Sequence, residues 1–219
     1  IAAGSKPRNP TQVPFDRDRV FDSTRLLLID HVPKTLIVLG GGIIGSEYAS
    51  FFAALGTEVT VVDKREHLLP LLDEEIGTHL QKALSQIGLR VLGNQELELI
   101  QRTQAGVEVF LKGGMKIEAE VVLYALGREA NVKELQIENV GIYLDEKGYV
   151  PVNALFQTVV PHIYAAGDVI GSPALASTSM EQGRLSMRHA FGAKTHHFPT
   201  FYPIGIYTIL EISSCGYTE

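Results

Sequence analysis

Gly40-Gly41-Gly42-Ile43-Ile44-Gly45 lies between the apolar run Leu36-Ile37-Val38-Leu39 and the segment Ser46-Glu47-Tyr48-Ala49-Ser50-Phe51. A G-x-G-x-x-G turn that follows a strand and opens a helix is the arrangement that seats a dinucleotide pyrophosphate against free N–H groups at the helix start. In that arrangement Gly40 permits the tight turn and Gly42 lets phosphate approach the backbone. Gly45 lets the helix, opened by Ile43 and Ile44, pack closely on the strand. A Gly-rich turn between packed elements is the plainer reading of the same residues.

Around this turn the pattern is regular. Residues 34–39 read as a parallel strand buried on both faces. Residues 43–55 carry helical spacing in Ile43, Ile44, Tyr48, Phe51, Phe52 and Leu55, and Gly56 is suited to a left-handed helix stop. Glu58–Val62 then reads as a second strand, which completes one right-handed βαβ unit in about 30 residues. Asp63 ends that strand, 18 residues after Gly45. An acid near this offset accepts hydrogen bonds from the adenine ribose hydroxyls, and its charge repels a 2′-phosphate, which favours NAD. Lys64 and Arg65 follow at once. They either pair with such a phosphate, as cations do, or form a solvated loop. At face value the site admits both NAD and NADP.

Further along, Asp73-Glu74-Glu75 opens a helix that runs to about Gln86, with acids at its positive end. Gly88 ends it, and Arg90-Val91-Leu92 is a third short strand. Residues 95–124 read as a meander, with turns at 104–106 and 112–114. Val121-Val122-Leu123-Tyr124-Ala125 is a further buried strand. Residues 5–33 are rich in Pro, Asp and Arg and read as a connector. The strand Ile163-Tyr164-Ala165-Ala166 and a helix from about Ser177 to Phe191 complete the pass. Ile1-Ala2-Ala3-Gly4-Ser5 reads as the end of a buried strand, and 206–212 as a strand that stops abruptly. The expectation is therefore an excised piece of a longer polypeptide.

Composition sets bounds. A chain of 219 residues, 45% hydrophobic and 20% charged, has room for one large domain or two small ones. A net charge of −6 with no basic stripe argues against nucleic-acid binding. No apolar run approaches the roughly 20 residues that span a bilayer, so no membrane is expected as a partner. Cys215 is the one cysteine, which excludes an internal disulfide and fits a reducing, cytoplasmic setting. The seven histidines are scattered, and no metal site is expected.

A second motif lies at Thr158-Val159-Val160-Pro161-His162-Ile163-Tyr164-Ala165-Ala166-Gly167-Asp168-Val169. Read alone, Asp168 either caps a turn or offers its carboxylate to a polyol at a strand tip. The run resembles the second FAD-binding motif of the two-dinucleotide-binding-domain flavoprotein disulfide reductases. Ala125-Leu126-Gly127-Arg128-Glu129-Ala130-Asn131 resembles that family's A-x-G-R-x-P-N junction, with Ala130 in place of Pro. Ile1-Ala2-Ala3-Gly4-Ser5 resembles its A-T-G-S strand, with Ala3 in place of Thr. The order of the pieces also agrees, and together they cover almost the whole chain.

The resemblance implies an α/β fold: a three-layer, Rossmann-like nicotinamide domain at 20–130, with 1–19 and 131–197 as parts of an FAD-binding domain. Residues 198–219 would begin a dimerisation domain, with a homodimer expected of the full-length protein. It implies FAD, NAD(H) and NADP(H) as cofactors and substrates, with no catalytic side chain in the segment present. Glu47 would orient the nicotinamide carboxamide, and Ile43 takes the position where many relatives place a flavin-shielding Tyr. Ala125, Gly127 and Arg128 would border the nicotinamide nucleotide. Gly167 and Asp168 would hold the flavin ribityl chain, with Leu175 and Ala176 near the isoalloxazine ring. The runs at 167–184 and 203–208 resemble most the branch that passes hydride between NADPH and NAD+ through FAD. A lipoamide-type disulfide reductase and a non-catalytic nicotinamide-binding module are the alternatives. Only one half of the flavin site is expected in this length of chain.

Overall fold

The computed structural model describes residues 1–218. In chain order its strands and helices are β1 (Ser5–Pro7), β2 (Val20–Asp22), β3 (Thr35–Leu39), α1 (Ile43–Ala54), β4 (Glu58–Val62) and α2 (Glu74–Ser85). They continue as β5 (Leu89–Leu92), β6 (Leu97–Arg102), β7 (Val107–Leu111), β8 (Lys116–Ala119), β9 (Val121–Tyr124), β10 (Arg128–Ala130), α3 (Ala176–Ala190), β11 (Ile204–Ile206) and β12 (Ile212–Ser214). The chain divides into two compact units: residues 1–8 with 128–204, and residues 9–127 with 205–219.

The larger unit is built on a five-stranded parallel sheet in the order β2-β9-β3-β4-β5. From β3 the chain winds one way through β4 to β5, and then returns to the other side of β3 as β9. The β3/β9 boundary is thus the point where strand order reverses, and α/β sheets bind ligands at such points. Period-two alternation assigns the two faces of β3. Ile37 and Leu39 join Val62, Val107, Val109, Leu111 and Val122 in one core under the antiparallel meander β6-β7-β8. On the other face α1 packs on β3 and β4, and α2 packs on β5. The result is three layers: helices, parallel sheet, meander.

The elements around the glycine turn form where the pattern places them. The helix α1 starts at Ile43, and Gly56 closes it at φ +93°. Gly88 takes φ +91° after α2. The connector expected at 5–33 is corrected in part. Val20–Asp22 is a fully buried strand paired in parallel with Val122–Tyr124, and β1 pairs with β10. Three-residue strands carry too little periodicity to declare themselves; their pairing partners define them.

The smaller unit has its own core of Ala130, Val132, Ile137, Ile142, Val150, Ala165 and Val169. Its helix α3 spans 176–190, close to the expected 177–191. The strand expected at 163–166 is not a laddered strand. Its backbone bonds fold it onto a local turn, with Thr158 N–H donating to Ile163 O and Ala165 N–H to Phe156 O, and with one isolated bridge between Gln157 and Tyr164. Ala166 N–H donates to Ile1 O at 3.0 Å. The strand expected at the end of 1–5 begins only at Ser5. The single strand expected at 206–212 is instead two short strands, β11 and β12. They are separated by a turn at Leu210 (φ +75°), whose carbonyl accepts the Thr208 hydroxyl at 2.8 Å. Among the described residues no helix is long and apolar enough to cross a membrane.

Candidate functional site

In the larger unit the glycine turn lies where β3 ends against β4 and β9. Gly40 N–H donates to Val62 O at 2.8 Å, and Ala125 N–H donates to Leu39 O at 2.8 Å. The three motif glycines meet different surroundings. A Cβ on Gly40, at φ +110°, would stand 2.7 Å from Ala125 O; one on Gly45 would stand 1.8 Å from Gly40 O and 3.3 Å from Val38 Cγ1. A Cβ on Gly42 would meet nothing within 4 Å. Gly40 and Gly45 are therefore held by backbone approach, while Gly42 faces open space.

Gly42 is also the N-cap of α1, and no side chain caps the helix. The first bond of the helical turn is Ser46 N–H to Gly42 O at 2.9 Å. The amides of Ile43 and Ile44 precede it and belong to the donors that a helix start leaves unsatisfied. With the macrodipole behind them, such donors form a place for an anion.

Asp63 is 3% exposed, at the tip of β4. Its carboxylate takes four donors. Oδ2 accepts Gly41 N–H at 2.7 Å and Arg65 Nη2 at 2.8 Å; Oδ1 accepts Arg65 N–H at 2.9 Å and Nε at 2.8 Å. Burial alone would raise its pKa. The Arg65 guanidinium and the amides of Arg65 and Gly41 outweigh burial and hold the carboxyl below its usual value. The same pairing raises the Arg65 pKa. Lys64 beside them is exposed. Gly41 was not singled out by sequence, yet it ties the acid to the turn, and its carbonyl accepts Leu69 N–H at 2.8 Å. The middle glycine of the Gly40-Gly41-Gly42 run was the available signal.

Glu47 lies on α1 one turn after Ile43. Its Oε1 accepts Tyr207 N–H at 2.9 Å, and Ser50 Oγ on the same helix accepts Ile209 N–H at 3.0 Å. Gly127, at φ +113°, is exposed, and a Cβ there would meet nothing within 4 Å.

In the smaller unit Gly167 (φ +83°) leads into Asp168, and its N–H donates to the fully buried Gln182 Oε1 at 2.7 Å. Gln182 Nε2 is buried without a hydrogen-bond partner. Asp168 Oδ2 accepts the Ser5 hydroxyl at 3.0 Å. Ser5 in turn accepts Arg128 twice, Nε on its Oγ at 2.7 Å and Nη2 on its carbonyl at 2.8 Å. Arg128, read as a nucleotide neighbour, is thus spent largely on Ser5, one step from Asp168. Leu175 is the half-buried N-cap of α3, and Ala176 its exposed first residue; no side chain caps this helix either. Ser5 and Gln182 went unremarked as functional residues, although both lie inside runs that carry the resemblance, 1–5 and 181–184.

Two groups of residues therefore stand out, one in each unit. Gly40, Gly42, Ile43, Ile44, Gly45, Asp63, Arg65 and Ala125 cluster around the β3/β9 switch point. Gly167, Asp168, Leu175 and Ala176 gather near the start of α3 with Arg128 and Ser5.

Comparison with known proteins agrees with this architecture. The chain is 45% identical over its whole length to the soluble pyridine nucleotide transhydrogenase of Mycobacterium tuberculosis, and 44% identical to that of Serratia proteamaculans. It spans about half the length of these curated relatives, 47% of each. Among solved structures it resembles LpdA from Mycobacterium tuberculosis, with a TM-score of 0.90 and 33% identity over 97% of this chain and 46% of that one. It also resembles the HOCl-induced flavoprotein disulfide reductase RclA from Escherichia coli, with a TM-score of 0.89 and 28% identity over 99% of this chain and 50% of that one. The family model for pyridine nucleotide-disulphide oxidoreductases matches residues 1–183, and the chain belongs to that family.

Proposed function

We propose that the larger unit binds the adenosine diphosphate part of a nicotinamide dinucleotide, with its pyrophosphate on the start of α1. One observation carries this reading: the helix start is uncapped and open at Gly42, beside a buried carboxylate at the strand-order reversal. In the complete polypeptide this unit would serve an oxidoreductase that moves hydride between NADPH and NAD+. The similarity to transhydrogenases supports that finer assignment.

FAD, when bound, supplies the hydride-carrying chemistry. The residues of the smaller unit fit such a group. Asp168 keeps Oδ1 without a partner among the described residues while Oδ2 is held by Ser5, so one oxygen remains to accept a ribityl hydroxyl. Leu175 and Ala176 would border the ring, Glu47 would orient the carboxamide, and Gly127 and Arg128 would border the nicotinamide nucleotide. We read 1–19 and 131–197 as parts of the FAD-binding domain, 20–130 as the nicotinamide domain, and 198–219 as the start of a dimerisation domain. A homodimer in the cytoplasm is the expected state of the full-length protein.

Calorimetry of this polypeptide with NADH and with NADPH tests the binding reading. Heat from at least one is expected, and silence from both in a folded sample overturns it. With the complete polypeptide, NADPH-driven reduction of thio-NAD+ is expected; its absence in flavin-loaded protein overturns the hydride-transfer reading.

A further inference from the structure

In the smaller unit β1 and β10 form a two-stranded antiparallel ribbon, in which Ser5 pairs with Ala130, Lys6 with Glu129 and Pro7 with Arg128. Side chains alternate between the two faces of such a ribbon. Ser5 and Arg128 take the face that leads to Asp168. Lys6 and Glu129 take the other, and there they border a cleft of about 310 Å³. Every residue lining the cleft belongs to the smaller unit, and Asp168 is not among them.

The floor of the cleft is apolar. Val132, Ile137 and Ile142 are buried members of this unit's core. Two short 3-10 turns, Lys133–Leu135 and Ile137–Val140, supply one wall. Gln136 joins them at φ +49°, a left-handed conformation that is costly for a residue other than glycine and that clusters at binding sites. Gly148, also at the cleft, ends a turn fixed by Asp145, whose Oδ1 accepts Lys147 N–H at 3.0 Å and Tyr149 N–H at 2.9 Å.

The rim carries both signs, with Lys6 and Lys133 against Glu129 and Glu138. Lys6 Nζ and Glu129 Oε1 stand 3.6 Å apart. That exceeds the roughly 2.7–2.9 Å of a charge-assisted hydrogen bond, so each keeps capacity for a further partner. Lys133 and Glu138 are exposed, and their side chains have no partner among the described residues.

One cation beside one anion over an apolar floor is the complement of an α-amino acid. Such a molecule carries its carboxylate and ammonium on the same carbon, so the two charges meet Lys6 and Glu129 as opposed dipoles. Its side chain then falls on Ile137 and Ile142. A simple anion would bring its charge against Glu129 and Glu138, and a simple amine would bring its own against the lysines. The volume lies at the low end for small-molecule sites, which suits one amino acid and not a dinucleotide. We propose that this cleft binds a free α-amino acid with an apolar side chain, Lys6 taking the carboxylate and Glu129 the ammonium. The proposal is independent of the dinucleotide reading.

NMR titration of the isotopically labelled chain at pH 7 with L-phenylalanine, 3-phenylpropionate and phenethylamine tests it. The three compounds share a ring and differ in charge. L-phenylalanine is expected to shift the Ile137 and Ile142 methyl signals and the Lys6 and Glu129 amides, saturating in about the millimolar range. Each singly charged analogue should bind about tenfold more weakly. Glu129→Gln should weaken L-phenylalanine about tenfold and leave 3-phenylpropionate unchanged or tighter. Lys6→Ala should weaken L-phenylalanine by a similar factor and leave phenethylamine unchanged or tighter. Melting temperatures show whether each variant keeps its fold; if either does not, the three-compound series on the wild-type chain decides alone. Absence of shifts at about 10 mM L-phenylalanine, shifts centred on the glycine turn instead of residues 129–148, or equal affinity for all three compounds overturns the proposal.

Discussion

The carbonyl oxygen of Gly40 stands 1.8 Å from where a Cβ on Gly45 would lie, so strand tip and helix start meet with no room for a side chain. Gly42, three residues earlier, has open space instead. The two positions should respond oppositely to the same substitution. Gly45→Ala forces backbone apart and should destabilise the larger unit by about 3 kcal/mol or more. Gly42→Ala should lower the melting temperature by only a few degrees, since Ala is a poorer N-cap than Gly by about 1 kcal/mol, while lowering NADH affinity through the methyl that would meet the pyrophosphate in the proposed binding mode. Thermal melts and calorimetry on both variants check this; a stable Gly45→Ala protein would refute the close approach.

Asp63→Asn removes the charge beneath Arg65 and weakens the acceptors for Gly41. A lost charge-assisted bond network at a buried acid is worth about 1–3 kcal/mol, with the half-exposed Arg65 partner screened by water. The sign of the pH dependence follows from the lowered pKa of Asp63. Its contribution is present above the ordinary carboxylate range near 3.8 and is lost as pH falls through the lower folded-state value. Chemical denaturation at pH 7 and pH 3 should show a large gap between wild type and Asp63→Asn at the first pH and a smaller one at the second.

Much of this was legible in residue order, and the parts that were not share a cause. The β3–α1–β4 unit declares itself through period, Gly stops and an acid at the right offset, all of which are local. Position 63 could be assigned to a strand tip, but its carboxylate's partners could not, because spacing fixes where a residue sits and not which rotamer its neighbour adopts. Val20-Phe21-Asp22 was hidden in a Pro- and Asp-rich stretch; it is a strand because Val122–Tyr124 lies beside it. Ile163–Ala166 has strand-like composition yet bonds to its own turn, a tertiary outcome that composition does not encode.

His31 links the connector before β3 to the turn between β8 and β9. Its Nδ1 lies 2.8 Å from Asp30 Oδ1 and its Nε2 3.0 Å from Glu120 Oε1, while Glu120 Oε2 accepts Lys34 N–H at 2.8 Å. Asp30 first, then Glu120, raises the His31 pKa above its ordinary 6.5. The stabilisation is therefore complete below about pH 6.5 and lost as pH rises through the higher folded-state value. NMR titration should place the His31 imidazole above the ordinary 6.5. His31→Gln should narrow the difference in melting temperature between pH 6 and pH 9, and added salt should shrink it, because the site is exposed.

Ser5 mediates between Arg128 and Asp168, taking Nε of the one on its Oγ and giving its hydroxyl proton to Oδ2 of the other. A threonine could keep both bonds; an alanine keeps neither, and Arg128 retains only the Ser5 carbonyl. Freed of Ser5, the Asp168 carboxylate can rotate, and the acid proposed to hold a ribityl hydroxyl loses its fixed direction. In the complete polypeptide, Ser5→Ala should therefore raise the FAD dissociation constant about tenfold, the effect of one lost bond to a charged group. Ser5→Thr should restore it. Flavin fluorescence on dilution reads the release. A merely structural serine would lower the melting temperature of the apoprotein without this pattern of loss and rescue, and unchanged FAD retention in Ser5→Ala would show that Asp168 holds its orientation unaided.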